Sequence, residues 1–260
     1  MKNLIKDKLC LFSSAFAVLF FVLIIGSISK FQDNFFSIII YFVLMVFFGF
    51  LAKKSNPMPE LHIAAAGADL KKLESIIAKG VDINIKDPYG QTALFPVLAV
   101  DKEPNEKIDF INRMISSGAD INSTINLTGI PFSVLDVSIE YNNDPKVITL
   151  IRKQGGKHAS IWGAAAGGDI KSVGKFLFNG ANVSGTNVDK TTPLHFASHY
   201  GNKETAELLI NKGADVNAKD IDNKSPLDFA IKGNQLETAD LLRKHGGKTS
   251  EELKAEEINK

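Results

Sequence analysis

A 33-residue spacing in the second half of the chain limits what the chain can fold into. Pro193 and Pro226 are 33 residues apart, and so are Gly213 and Gly246. The surroundings repeat too: Thr192-Pro193-Leu194-His195 returns as Ser225-Pro226-Leu227-Asp228, and each is followed by a leucine pair and a glycine close. A fixed period of this size means stacked supersecondary units that share their burial, not one globular core.

Each unit reads as two short helices. Pro193 suits a first helical turn, where its missing N–H would be unpaired anyway, and Thr192 before it is a fair N-cap. Leu194, Ala197 and Ser198 lie at helical spacing, and Leu208, Leu209 and Ile210 make the apolar side of a second helix. Small Ala197 and Ala206 allow close approach of the two. Gly201 and Gly213 fall where the turns need positive φ. Helices this short are unstable alone in water, so stacking must supply the burial.

The stretch from Thr191 to Asp220, TTPLHFASHYGNKETAELLINKGADVNAKD, resembles an ankyrin repeat. That resemblance implies an all-α solenoid of helix–turn–helix units with short fingers, and a protein-binding function whose partner the scaffold does not name. Six units are expected, repeats 1–3 over 61–157 and repeats 4–6 over 158–247. Ile161-Trp162-Gly163-Ala164-Ala165-Ala166-Gly167 copies Leu61-His62-Ile63-Ala64-Ala65-Ala66-Gly67 at an offset of 100 residues, as if a three-unit block had been duplicated. Unit two opens at Gly90-Gln91-Thr92 and carries five extra residues, expected at Asp101–Asn105 between its helices. Unit three opens at Ser133-Val134-Leu135-Asp136. Only 25 residues separate Gly155 from Gly180, so the finger is missing there and a kink or loose joint is expected near His158–Ile161. Lys190 and Asn223 stand where the family has a finger glycine; Asn tolerates a left-handed backbone and Lys does so poorly. The polar tail, 248–260, would cap the open end or fray.

Before the repeats lies a different composition. Leu9–Ser29 and Phe35–Ala52 are apolar runs of 21 and 18 residues without an internal charge. At ~1.5 Å per residue they span ~31 and ~27 Å, about one bilayer core each. With a five-residue turn, Lys30–Asn34, between them they read as a transmembrane hairpin over 1–54. Lys2, Lys6, Lys8, Lys53 and Lys54 flank it against Lys30 in the turn, which puts both ends in the cytoplasm. The rival reading is a signal peptide cleaved after Ser27-Ile28-Ser29; it leaves the second span and a cytoplasmic repeat array. The segment 55–60, with Pro57 and Pro59, is a short semi-rigid linker. The lysine, isoleucine and asparagine bias suits a bacterial chain, hence an inner membrane.

Little in the chain points to chemistry. The single cysteine, Cys10, excludes an internal disulfide or a multi-cysteine zinc site. Residues 1–54 carry six lysines and two acids, whereas the remainder has 24 basic and 27 acidic residues, so no basic stripe for nucleic acid is present. His62, His158, His195, His199 and His245 form no metal spacing, and in the family the histidine at the His195 position bonds neighbouring turns. Asp82, Asp120 and Asp215 recur as turn residues. Four Asn-x-Ser/Thr acceptor patterns occur, and cytosolic repeats leave them without meaning. No cofactor, metal or enzymatic activity is expected. An effector seated in a host membrane is the alternative to a resident membrane protein, and an enzyme or transporter is the third reading. Carried over from the family, the partner-binding residues are Tyr89 and Gln91 in the first finger, Lys190 and Thr191 in the next full one, and Asp222 and Lys224 in the last. His199, Tyr200 and Lys232 join them from the inner helices.

Overall fold

The computed structural model describes residues 59–258, apart from Thr128 and Asn142. Both expected membrane segments, 9–29 and 35–52, lie outside the described residues, as does most of the linker. Among the described residues no helix is long and apolar enough to cross a membrane.

Six helix pairs follow one another: α1 (Glu60–Ala66) and α2 (Leu70–Ala78), α3 (Leu94–Ala99) and α4 (Pro104–Ser116), α5 (Val134–Glu140) and α6 (Pro145–Lys153), α7 (Ile161–Ala166) and α8 (Ile170–Phe178), α9 (Pro193–His199) and α10 (Lys203–Asn211), α11 (Pro226–Lys232) and α12 (Leu236–Lys244). A final helix, α13 (Ser250–Ile258), closes the array. The first members of the pairs stack on one another as an inner layer. The second members form an outer layer behind them. Apolar residues at helical spacing meet between the layers: Leu61, Leu73, Leu94, Phe110, Val147, Leu194 and Leu209 are buried. Leu208 faces the edge and is half-buried, so of the two neighbouring leucines Leu209 belongs to the core.

The inner helices start where hydroxyl and proline chemistry says they should. Ser133, Thr192 and Ser225 each form a capping box with Asp136, His195 and Asp228, and Pro193 and Pro226 occupy the first turn. Between the helices of a pair the chain reverses through a positive-φ residue: Ala68, Gly168, Gly201 and Asn234. Lys190 is left-handed at φ 58°, where the first finger has Gly90 and the following one Asn223. That conformation costs a lysine about 1–2 kcal/mol.

Two expectations are corrected. The fold is not purely helical: the finger between the second and third pairs is an antiparallel hairpin of β1 (Thr124–Leu127) and β2 (Ile130–Ser133), with Thr124 paired to Ser133 and Leu127 to Ile130. The reason is its length, which allows a ladder the shorter fingers lack room for. The five residues Asp101–Asn105 are not all loop: Asp101–Glu103 connect the helices, but Pro104 and Asn105 open α4, whose 13 residues exceed the nine of α6 and α10. The tail caps the open end as a helix: α13 places Ser250 N–H on Asp228 Oδ2 at 2.9 Å and sets Glu252 against Arg243 and Glu256 against Lys248, each at 2.5 Å.

At the finger-less joint the apolar core divides. One cluster runs from Leu61 to Ile151 and a second from Ile161 to Leu242, and Trp162 packs against both. The inner helices α5 and α7 pack across the joint, while α6 and α8 of the outer layer barely meet. What fills the joint is polar. Asp136 and His158 are buried and bonded, Oδ1 to Nδ1, at 2.6 Å. Asp136 Oδ2 accepts from the Ser133 N–H and hydroxyl and from the Ala159 N–H, each at 2.9 Å. Gly163 and Gly167 make room: a Cβ on Gly163 would fall 2.1 Å from Asp136 Oδ1, and one on Gly167 would fall 2.7 Å from His158 Cε1. The joint is thus tied through one carboxylate. Asp136→Ala leaves several buried donors unpaired and should cost at least about 3 kcal/mol. The two cores should then melt apart, so that Trp162 fluorescence and circular dichroism no longer give one midpoint in denaturant. A loss below ~1 kcal/mol with coincident curves means the joint is held by something else.

Candidate interaction surface

The residues that bind unit to unit define, by exclusion, those left for other work. Near the third position of three inner helices a side chain reaches the next unit. His62 Nε2 donates to the Gln91 carbonyl at 2.7 Å, Trp162 Nε1 to the Thr191 carbonyl at 3.1 Å, and His195 Nε2 to the Lys224 carbonyl at 3.2 Å. The last two carbonyls belong to the residue just before the caps Thr192 and Ser225, and Gln91 lies at the matching place before Thr92. A carbonyl can only accept, so Nε2 carries the proton in both histidines. His195 Nδ1 is then free to accept from Thr192 N–H at 3.1 Å and its hydroxyl at 2.8 Å.

A second set of rungs runs through asparagines. Asn84 Nδ2 donates to the Gly118 carbonyl at 2.9 Å and its Oδ1 accepts from Asp120 N–H at 2.8 Å. Asn122 does the same to Gly155 and Lys157, and Asn217 to Gly246 and Lys248. Sequence reasoning picked out the aspartates of Gly-x-Asp-x-Asn and missed these asparagines. The signal was their recurrence two residues after each of Asp82, Asp120 and Asp215. In the fourth unit Ser184 stands at that place.

The finger tips are rigid for a local reason. Asp87 Oδ1 accepts from the N–H groups of Tyr89 and Gln91, Asn187 Oδ1 from Asp189 and Thr191, and Asp220 Oδ1 from Asp222 and Lys224. The last two fingers are joined by Ile221 N–H to the Asp189 carbonyl at 2.8 Å. Beside the joint, Gly129 at the turn of the hairpin comes close to Val188: a Cβ there would lie 3.1 Å from Val188 Cγ1. On these fixed tips the side chains stand out. Tyr89 is 43% exposed, Val188 62% and Ile221 58%.

Of the nine residues carried over from the family, the structure exposes Tyr89, Lys190, Asp222 and Lys232, and half-buries His199, Tyr200 and Lys224. Gln91 and Thr191 are corrected: they are 6% and 7% exposed, at the inner end of the finger where each carbonyl accepts the bond from the neighbouring unit. The Tyr200 hydroxyl donates to Glu140 Oε2 at 2.8 Å, two units away. Its ring meets His199 edge-on at 5.0 Å, and His199 meets Phe229 at 6.3 Å. Glu140 was not foreseen, since an acid at a helix end carries no motif.

Burial, opposed by hydrogen bonds from backbone and nearby acids, takes the His195 imidazole down to about 4. Burial and the Lys232 charge lower that of His199 as well. The sign for His195 follows directly. Its folded value lies below the ordinary unfolded one of about 6.5, so the unfolded chain binds the extra proton. Its contribution to stability is full above pH ~6.5 and is lost as the pH falls toward ~4. Chemical denaturation between pH 7 and 5 should show a falling midpoint in the wild type and a shallower fall in His195→Gln. Equal slopes would remove His195 as the titrating group.

Residues 161–252 match the family model for ankyrin repeats in three copies. The chain is also similar to an ankyrin repeat protein of fowlpox virus (strain NVSL), 29% identical over 127 residues. That match covers 48% of this chain and 18% of the viral protein's own length. Ankyrin repeats therefore account for the last three helix pairs, and the first three share their layout of inner helix, outer helix and glycine close.

Proposed function

We propose that the array is a protein-binding module held at a membrane, with its contact face made by the finger tips and the inner-helix row. The observation that carries this reading is the contrast at the fingers. Their backbone is locked by side-chain bonds and inter-unit rungs, while apolar and charged tips project unused. A rigid frame presenting variable side chains is suited to recognition, since little ordering entropy is lost on contact. The contact residues in this reading are Tyr89, Lys190, Asp222, Lys224, His199, Tyr200 and Lys232. Tyrosine is favoured as an anchor for its large area and few torsions.

The binding test is a pull-down with the full chain followed by variants. Replacing Tyr89, Lys190 and Lys232 together by alanine should leave circular dichroism unchanged and cut capture of the partner at least tenfold. If capture survives that change but is abolished by alanine at the outer-helix residues Lys203 and Glu207, the binding face is the outer layer and the assignment fails.

The membrane part of the proposal rests on the two uncharged runs, 9–29 and 35–52, and on the lysine asymmetry around them. An inner membrane with the repeats on the cytoplasmic side is the placement that asymmetry favours. A reporter active only in the cytosol should work when fused after Lys260 and fail when inserted at 30–34. Activity at both positions rules the hairpin out.

A further inference from the structure

We infer that the inner-helix face carries a seat for a single cationic side chain, an arginine or lysine of the bound protein, at Glu140 beside Tyr200. This rests on the reading of that face as the contact surface and names the chemistry of one contact.

The geometry comes from register. Counting from the caps Ser133, Ser160, Thr192 and Ser225, the same inner-helix position is filled by Glu140, Gly167, His199 and Lys232. Gly167 must lack a side chain because His158 and Ile139 lie where its Cβ would go. The row therefore has no side chain of its own between Glu140 and His199, and the Tyr200 hydroxyl reaches past Gly167 to Glu140 Oε2 at 2.8 Å. The other oxygen, Oε1, has no hydrogen-bond partner among the described residues, and the residue is half-buried, so the carboxylate is neither sealed in nor fully hydrated.

Three features make this a poor place for an acid in the free protein. Glu140 is the last residue of α5, where the helix dipole favours a cation. No cationic group among the described residues pairs with it. Burial holds its carboxyl above the usual range, with the Tyr200 bond opposing. A helix-end acid that is unfavourable for folding and points into a contact face is placed as a binding group would be. A guanidinium seated there would supply the missing charge-assisted bonds. Burial and Lys232 keep His199 from competing as a cation.

The experiment uses the full chain in detergent. Glu140→Gln keeps the shape and the bond from Tyr200 but removes the charge, so at neutral pH it should raise the thermal midpoint of the repeat array. A lowered midpoint means Glu140 is a structural group and overturns the proposal. Peptide phage display on the wild type should then enrich sequences carrying an arginine or lysine. Replacing that residue by citrulline or glutamine should weaken binding to the wild type at least tenfold and binding to Glu140→Gln less than twofold. Enriched peptides without a cation, or ones that bind Glu140→Gln as well as the wild type, refute the seat while leaving the contact face intact. Peptides lost on changing Lys203 and Glu207, or a display that enriches nothing, refute the face and the seat together.

Discussion

The structure depends on hydrogen bonds that pass from one repeat to the next. No pair of helices here could stand alone: the helices run from six to 13 residues, and those lengths are marginal in water. Their apolar sides supply most of the free energy once stacked, but apolar contact is non-directional. The rungs from His62, Trp162 and His195, and from Asn84, Asn122 and Asn217, specify the offset at which each unit meets the next. The histidine and tryptophan rungs also occupy buried or half-buried carbonyls that loops of this kind would otherwise leave unpaired.

The joint between the third and fourth pairs shows what happens when that scheme is interrupted. The missing finger removes a carbonyl for a histidine to reach, and the asparagine rung is absent there too. Asp136 takes over both jobs by accepting from the same helix, from Ala159 and from His158. The apolar core yields to a polar link with glycines packed over it, and Trp162 packs against both cores. Gly167 leaves the inner row without a side chain at one position, and Tyr200 reaches Glu140 across it. Structural repair and candidate recognition chemistry thus share one place in the fold.

Recognition by this frame divides the labour between layers. Residues that hold units together, such as Gln91, Thr191 and His195, are withdrawn from the surface by that role. Residues at the finger tips are held by their backbone and free in their side chains. Of the six finger positions carried over from the family, Gln91 and Thr191 are therefore covered, Tyr89, Lys190 and Asp222 are exposed, and Lys224, whose carbonyl is engaged by His195, is half-buried.

Much of the frame could be read from residue order. The 33-residue period, the capping pairs and the glycine closes are local chemistry, so the sequence alone determined the helix pairs, their order and the place of the finger-less joint. Local chemistry also placed Lys190 in a left-handed turn against its own preference, because Asn187 holds the N–H groups on either side of it. Tertiary structure decided the rest. Whether the long finger became a ladder, where the extra residues of unit two went, and whether Leu208 or Leu209 faced the core depended on surroundings that no single stretch encodes. The meeting of Glu140 with Tyr200, 60 residues apart, depended on stacking across a glycine, and a contact of that kind exists only once the units are in register.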